Sequence, residues 1–368
     1  MYDKTHRHSI FCILPPNILL NLAKNGNAEE REHALRAISI DHSLRTSRLT
    51  FSMLGGLKIS HESLTAAPPA KQRTIFDAQQ SQTLPGQIVR SEGQSKGTDV
   101  SVTEAYDGLG YTFDFYFQAY QRNSIDNAGL PLKATVHYDV KYDNAFWNGQ
   151  EMIFGDGDGV IFNRFTNSVD VIGHELTHGV TGSEANLVYQ GQPGALNESI
   201  SDVFGSLVKQ FHLQQTADKA DWLIGAGLLA SGIQGKALRS MKDPGTAYDD
   251  PKLGKDPQPA DMAHYVHTNE DNGGVHTNSG IPNRAFCLAA ISIGGNAWER
   301  AGQIWYDTLT DPRLTQNANF ATFANLTVGN AGRRYGSSST EKKAVADAWT
   351  KVGVKLPNPL PIAKTAQR

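Results

Sequence analysis

The chain has 368 residues, with 34 Lys plus Arg against 37 Asp plus Glu and a formal net charge of −3. That length holds about two domains and a core that needs no staples, and the near-neutral charge removes the electrostatic case for nucleic acid or an anionic membrane as partner. Its two cysteines, Cys12 and Cys287, exclude a disulfide framework and a cysteine-built zinc module, so a metal site must draw on His, Asp and Glu.

At the N-terminus Lys4, His6, Arg7 and His8 precede an apolar stretch from Ile10 to Leu14, in the order of a secretion signal. Pro15-Pro16 breaks the helix such a signal needs, and no small-residue cleavage site follows closely. No run approaches the ~20 apolar residues of a membrane span. Secretion is expected without a clear signal peptide, with a cytoplasmic location as the alternative. Residues 28–38 read as a short charged helix, Arg45 and Arg48 as part of a linker, and Ala66-Ala67-Pro68-Pro69-Ala70 as a hinge. From 74 to 171 strand and turn signals dominate: Gln87-Ile88-Val89-Arg90 after Leu84-Pro85-Gly86, then the alternating stretch 134–140. The Tyr- and Phe-rich stretch 105–120 also permits a helix. Gly155-Asp156-Gly157-Asp158-Gly159 reads as a turn, because its spacing does not match an EF-hand. From 168 onward the period is helical: Val169, Val171, Ile172, Leu176 and Val180 open the pattern, and 199–211, 280–293 and 342–352 continue it. The fold class is therefore α+β, strand-rich then helix-rich, with a cleft between.

His174-Glu175-Leu176-Thr177-His178 carries the chemistry. Residues i and i+4 share one helix face, so both imidazoles reach one ion, and the glutamate beside them reaches its water. A catalytic zinc takes three protein ligands and keeps one position open. Glu198, at what reads as the first turn of a second helix, supplies the third ligand. Asp202, one turn further, is placed to accept the other ring N–H of a ligand histidine and fix its tautomer. His137, His212, His264 and His267 are left out of any metal site.

With these residues in place, 174–205 resembles the thermolysin family of zinc endopeptidases. So do Tyr142-Asp143-Asn144-Ala145-Phe146-Trp147-Asn148-Gly149, Leu238-Arg239-Ser240-Met241 and Asp271-Asn272-Gly273-Gly274-Val275-His276-Thr277-Asn278-Ser279-Gly280. The likeness runs from about Thr74 to the C-terminus. A shortened region upstream of Phe76, with a Pro-Pro-apolar motif near the N-terminus, is similar to the protealysin-like branch.

The resemblance implies a two-domain metallopeptidase: a short inhibitory propeptide and linker over 1–72 (ending within 50–72), an N-terminal catalytic domain over 73–189 and a helical domain over 190–368. It implies zinc on His174, His178 and Glu198, with Glu175 as general base. Tyr189 and His276 would stabilise the oxyanion, Asp271 would orient His276, and Asn197 and Asp202 would support the ligands. Asn144, Ala145 and Arg239 would bind substrate backbone. Phe162, Phe165, Val171, Ile224, Leu228 and Leu238 match the family's pocket for a bulky hydrophobic residue after the scissile bond. Pro15, Pro16, Ile18 and Leu19, extended by the prolines, would lie in the cleft and block it, with the Cys12 thiolate as a minor alternative zinc ligand.

Lys209, Leu223, Ala226 and Lys236 stand where the family has calcium carboxylates. Calcium is therefore expected to be absent or non-essential, with Lys209 pairing with Asp170 instead. The implied activity is neutral endopeptidase cleavage of protein or peptide substrates on the N-terminal side of bulky hydrophobic residues, by a monomer made as an autoinhibited precursor. An aminopeptidase would need a Gly-x-Met-Glu-Asn anchor, which the sequence lacks. A zinc domain without activity would be expected to lose Glu175, Tyr189 or His276.

Overall fold

The computed structural model describes residues 11–53 and 69–356. The basic start at Lys4, His6, Arg7 and His8 and the Ala66-Ala67-Pro68 part of the hinge lie outside them. A six-stranded sheet collects β1 (Phe11–Cys12), β2 (Arg73–Asp77), β3 (Gln87–Ser91), β4 (Leu132–Val136), β5 (Ala145–Trp147) and β6 (Met152–Phe154), in the order β1-β5-β6-β4-β2-β3. β2 and β6 run parallel to β4, and the other neighbours are antiparallel. The strand read at 134–140 ends at Val136, because His137 and Asp139 adopt left-handed backbone with φ of 54° each.

The N-terminal segment contributes β1, α1 (Pro16–Asn25) and α2 (Ala28–Met53). This corrects two expectations. Pro15-Pro16 does not extend the chain through Leu19: Pro15, at φ −62° and ψ 139°, precedes a helix whose first residue is Pro16. A first-turn proline sacrifices no hydrogen bond, since that N–H has no helical partner. Ile18, Leu19 and Leu22 then bury one face of α1. Nor is 28–38 a short helix followed by a linker: α2 continues to Met53, through Arg45 and Arg48. It starts on a reciprocal cap, Asn27 Oδ1 accepting from Glu30 N (3.0 Å) and Glu30 Oε2 from Asn27 N (2.9 Å).

The aromatic stretch forms α3 (Val100–Tyr120), with Asp99 accepting from Val102 N at 3.1 Å as its cap and Ala105, Leu109, Phe113, Tyr116 and Tyr120 buried. Against it pack α4 (Val169–Ser183) and α5 (Gly191–Leu213). Gly205 lets α4 and α5 approach closely: a Cβ there would meet Asp170 O at 2.3 Å. Two short strand pairs come next, β7 (Leu223–Ile224) with β8 (Arg239–Ser240) and β9 (Asp249–Asp250) with β10 (Gly254–Lys255). Five helices follow: α6 (Asp271–Asn278), α7 (Gly280–Ile293), α8 (Ala301–Leu309), α9 (Phe320–Tyr335) and α10 (Thr340–Lys351). The α+β expectation holds, with the main sheet in the first half and helices dominating the second. Among the described residues no helix is long and apolar enough to cross a membrane.

His137 clasps three pieces of this fold. Its Nδ1 lies 2.9 Å from Asp156 in the Gly155–Gly159 turn, and its Nε2 lies 2.9 Å from Asp99 at the head of α3. The Asp156 hydrogen bond, opposed by partial burial and assisted by Asp99, raises the ring from 6.5 to about 9. The folded ring holds its proton more tightly than the unfolded one. The clasp therefore contributes fully below about pH 6.5 and is lost as pH climbs through about 9. Solvent screening reduces the effect to about 1 kcal/mol. Urea titrations at pH 6 and pH 10 are expected to show His137→Gln destabilised at the lower pH and nearly equal to the parent at the higher; an equal gap at both would rule the clasp out.

Candidate metal centre

α4 and α5 bring His174, His178 and Glu198 together, all buried, with one potential ligand atom from each within 4.8 Å of the others. Glu198 comes from the third turn of α5, not its first, because that helix begins at Gly191. His174 Nδ1 lies 2.8 Å from Asp202 Oδ1, and His178 Nδ1 lies 2.8 Å from Asn197 Oδ1 and 3.0 Å from Ser201 Oγ. Asp202 and Asn197 present acceptors, so each Nδ1 carries the proton and each Nε2 keeps its lone pair. Those two Nε2 atoms stand 3.0 Å apart, with Glu198 Oε2 and Oε1 each 3.5 Å from one of them. Burial and the neighbouring His174 hold His178 well below the ordinary imidazole range, which favours its neutral form. Glu198 Oε2 and Glu175 Oε1 are buried without a hydrogen-bond partner among the described residues. Inward lone pairs and orphaned carboxylate oxygens fit a cation, and two imidazoles plus one carboxylate form a donor set that suits zinc.

Glu175 faces the same space. Its Oε2 accepts from Trp147 N of β5 at 3.1 Å, and burial together with the Glu198 charge pushes its carboxyl up. Tyr189 donates its hydroxyl to Glu198 and lies 3.3 Å from His276 Nε2. His276 is set by a backbone reversal: Asp271, Asn272, Gly273 and Gly274 all take positive φ. The fold-back lets Asp271 accept from His276 N at 2.8 Å and contact Nδ1 at 2.7 Å. Burial alone would lower the His276 ring, but Asp271 and Glu198 outweigh it and raise it.

Arg239 on β8 grips Asp202 with Nε (2.9 Å) and Nη2 (2.8 Å). Burial opposes charge on Asp202, yet Arg239 and His174 hold its carboxyl below the usual range. Asn283 of α7 adds a 2.8 Å bond to the same carboxylate. Ser201 and Asn283 escaped the sequence reading. Asn283 offers one signal, an amide in line with the buried Phe286, Cys287 and Ala290 at i+3, i+4 and i+7 of an apolar helix.

The substrate-side residues also converge. Arg239 Nη1 donates to Ile13 O (2.9 Å), Ile13 N donates to Ala145 O (3.2 Å), and Leu14 N donates to Asn144 Oδ1 (3.2 Å). The segment hydrogen-bonded to these residues is thus 12–14, and Pro15 and Asn17 follow beside Leu238, Arg239 and His276. It is the Cys12 carbonyl that meets His276 Nε2, at 3.1 Å. Phe162, Phe165, Val171, Ile224, Leu228 and Leu238 are buried in the hydrophobic core, which also takes in Ile13 and Leu14. Asp41 of α2, another residue the sequence did not flag, accepts from Tyr142 Oη (2.7 Å) and Asn144 Nδ2 (3.0 Å). Away from the centre, Lys209 Nζ sits 3.0 Å from Asp170 and 2.9 Å from Asp221.

Two family models match the chain: "Thermolysin metallopeptidase, catalytic domain" over residues 57–182 and "Thermolysin metallopeptidase, alpha-helical domain" over 185–354. An "Extracellular metalloprotease" of Pectobacterium carotovorum subsp. carotovorum is 55% identical over 347 residues, which are 94% of this chain and 97% of that protein. "Protease PrtS" of Photorhabdus sp. is 47% identical, over 94% of this chain and 92% of its own. The solved "Precursor of Protealysin, Metalloproteinase from Serratia proteamaculans" superposes with a TM-score of 0.85 at 57% identity, covering 94% of this chain and 100% of that one. With the His-His-Glu cluster at its centre, the chain belongs to the thermolysin family of metallopeptidases and is a metalloendopeptidase.

Proposed function

We propose that the chain is a zinc-dependent neutral endopeptidase, made as an autoinhibited precursor, that cuts on the N-terminal side of bulky hydrophobic residues. The observation that carries this reading is the convergence of His174, His178, Glu198 and Glu175 on one buried space beside β5. Zinc, held by the two imidazoles and Glu198, supplies Lewis-acid activation of water and carbonyl at neutral pH. Glu175 takes the proton of the attacking water and returns it to the leaving amine. The Tyr189 hydroxyl and the charged His276 ring donate to the oxyanion, worth about 2–4 kcal/mol each. Asp271 keeps His276 charged and aimed. Asn144, Ala145 and Arg239 align the substrate backbone, and the apolar pocket from Phe162 to Leu238 selects the side chain after the cut. Asn197 and Asp202 hold the ligand rings in one tautomer.

The reading assigns 1–72 to the propeptide and linker, 73–189 to the catalytic domain and 190–368 to the helical domain. It makes the protein a secreted monomer, in keeping with the extracellular names of relatives such as the Pectobacterium protein. Chelation tests it. Dialysis against a strong zinc chelator is expected to abolish casein hydrolysis, and one equivalent of zinc to restore it; activity that survives complete zinc removal would refute it.

Calcium is assigned no role. Lys209 places an ammonium between Asp170 and Asp221, where a cation would otherwise balance the carboxylates. Burial works against that ammonium, but the two carboxylates keep it charged. A calcium-selective chelator such as EGTA, with zinc restored, is expected to shift Tm by less than about 1 °C, which is under about 1 kcal/mol for a chain of this size. A large fall in Tm would reinstate a calcium site.

A further inference from the structure

We propose that the Cys12–Ile13 peptide is held in the reacting register, so that residues 12–14 form a tethered substrate and this bond is the first that the enzyme cuts in its own precursor. The inference rests on the endopeptidase reading above and adds to it the bond presented and the side chains preferred after it. Four consecutive backbone groups each meet a residue assigned to substrate. The Cys12 carbonyl meets the oxyanion donor His276 (3.1 Å) and the Ile13 N–H meets Ala145 O (3.2 Å). The Ile13 carbonyl meets Arg239 (2.9 Å) and the Leu14 N–H meets Asn144 (3.2 Å). Among the described residues of the segment, the Cys12 carbonyl is the one that faces His276, and it fixes the bond. β1 pairs antiparallel with β5, Cys12 opposite Phe146. The two side chains after the held bond, Ile13 and Leu14, are fully buried.

The step needs only water. Water adds to the Cys12 carbonyl carbon as Glu175 takes its proton, the C–N bond to Ile13 breaks, and the proton passes to the Ile13 nitrogen. The second proton of the water follows from the new acid, which leaves Cys12 as a carboxylate and Ile13 as an ammonium group. Release, not bond breaking, keeps the precursor latent. Leu14 is followed by Pro15 and then by α1, anchored by Ile18, Leu19 and Leu22, by Asn17 on Tyr248 (3.3 Å) and by Asn21 on Leu253 O (2.7 Å). The new Ile13 terminus is therefore held in the site after the cut, so the segment that follows it leaves slowly and keeps other substrates out. A free peptide lacks that anchor. The preferred substrates are accordingly chains with two consecutive branched aliphatic residues, Ile-Leu in kind, directly after the cut bond.

Zinc-loaded full-length protein, sampled from the start of processing by intact mass and N-terminal sequencing, is expected to give Ile13 as the first new N-terminus, before any within 50–72. A first cut elsewhere, in a preparation that goes on to hydrolyse casein, overturns the register alone. A preparation that never hydrolyses casein overturns the endopeptidase reading with it. Ile13→Asp is expected to lose the Ile13 terminus and to raise the initial casein rate at least tenfold. Because that change also loosens the packing of the segment, a peptide of sequence 8–17, with Pro15 and Pro16 replaced by alanine, is added to processed enzyme. Cleavage between Cys12 and Ile13, at least tenfold faster than in the peptide carrying Asp at position 13, supports the proposal. Cleavage at another bond rejects it.

Discussion

Glu175→Gln is expected to reduce casein hydrolysis about a hundred- to ten-thousand-fold, the usual reach of a positioned general base, while the protein still binds one zinc. The substitution is nearly isosteric in a fully buried position. The carbonyl oxygen of glutamine still accepts from Trp147 N, the only hydrogen bond made by the carboxylate among the described residues. The groups that hold the ligand rings, Asp202 on His174 and Asn197 on His178, are untouched. The loss therefore falls on proton transfer and not on the fold or the metal. Metal analysis and Tm report the second point, casein the first. Glu198→Gln is the contrasting case: it removes the charge of the third ligand, so zinc content and activity fall together. Near-normal activity in Glu175→Gln would transfer the base role to another group and undo the reading of the centre.

The ligand triad was legible because its logic is local. Two histidines one helical turn apart declare a shared face, and a carboxylate in the next apolar-periodic run declares a partner helix. Asp202 followed from the same period. Other residues escaped because contacts between distant segments place them. Asn283 reaches Asp202 from α7, and Asp41 reaches Tyr142 and Asn144 across about a hundred residues of sequence. Pro15-Pro16 is ambiguous in principle, since proline suits both an extended chain and the first turn of a helix. The apolar spacing of Ile18, Leu19 and Leu22 decides for the helix, and the extended chain lies upstream of it, where β1 pairs with β5. The length of α2 was hidden for a different reason. Its charges, Glu29 on Lys141, Glu30 on Lys252 and Arg36 on Asp139, grip the catalytic part as ion pairs, so no apolar stripe marks its course. The start of α5 was missed because Gly191-Gln192-Pro193-Gly194 carries turn residues, although a proline is tolerated in the first turn.

Those same contacts set the expected behaviour of the precursor. Freshly purified full-length protein should hydrolyse casein after a lag, at an initial rate at least tenfold below that of the same preparation once processed to near Ala70. On the autoinhibited reading the obstructing segment, 12–14, is part of the chain, and intramolecular presentation gives it an effective concentration of about millimolar. A substrate supplied at micromolar concentration competes poorly for Arg239, Ala145 and Asn144, which the strand already occupies. The partly exposed pairs of α2 add little each, and salt screens them further. Asp41 differs, because its carboxylate is buried against Tyr142 and Asn144. Asp41→Ala leaves those donors without it and is expected to shorten the lag severalfold, more than 0.5 M salt does, without changing the rate of the processed enzyme, which no longer carries the residue. Identical progress curves for fresh and processed protein would show that the strand does not obstruct the site. A lag that answers to salt but not to Asp41→Ala would place the latch on the surface ion pairs instead.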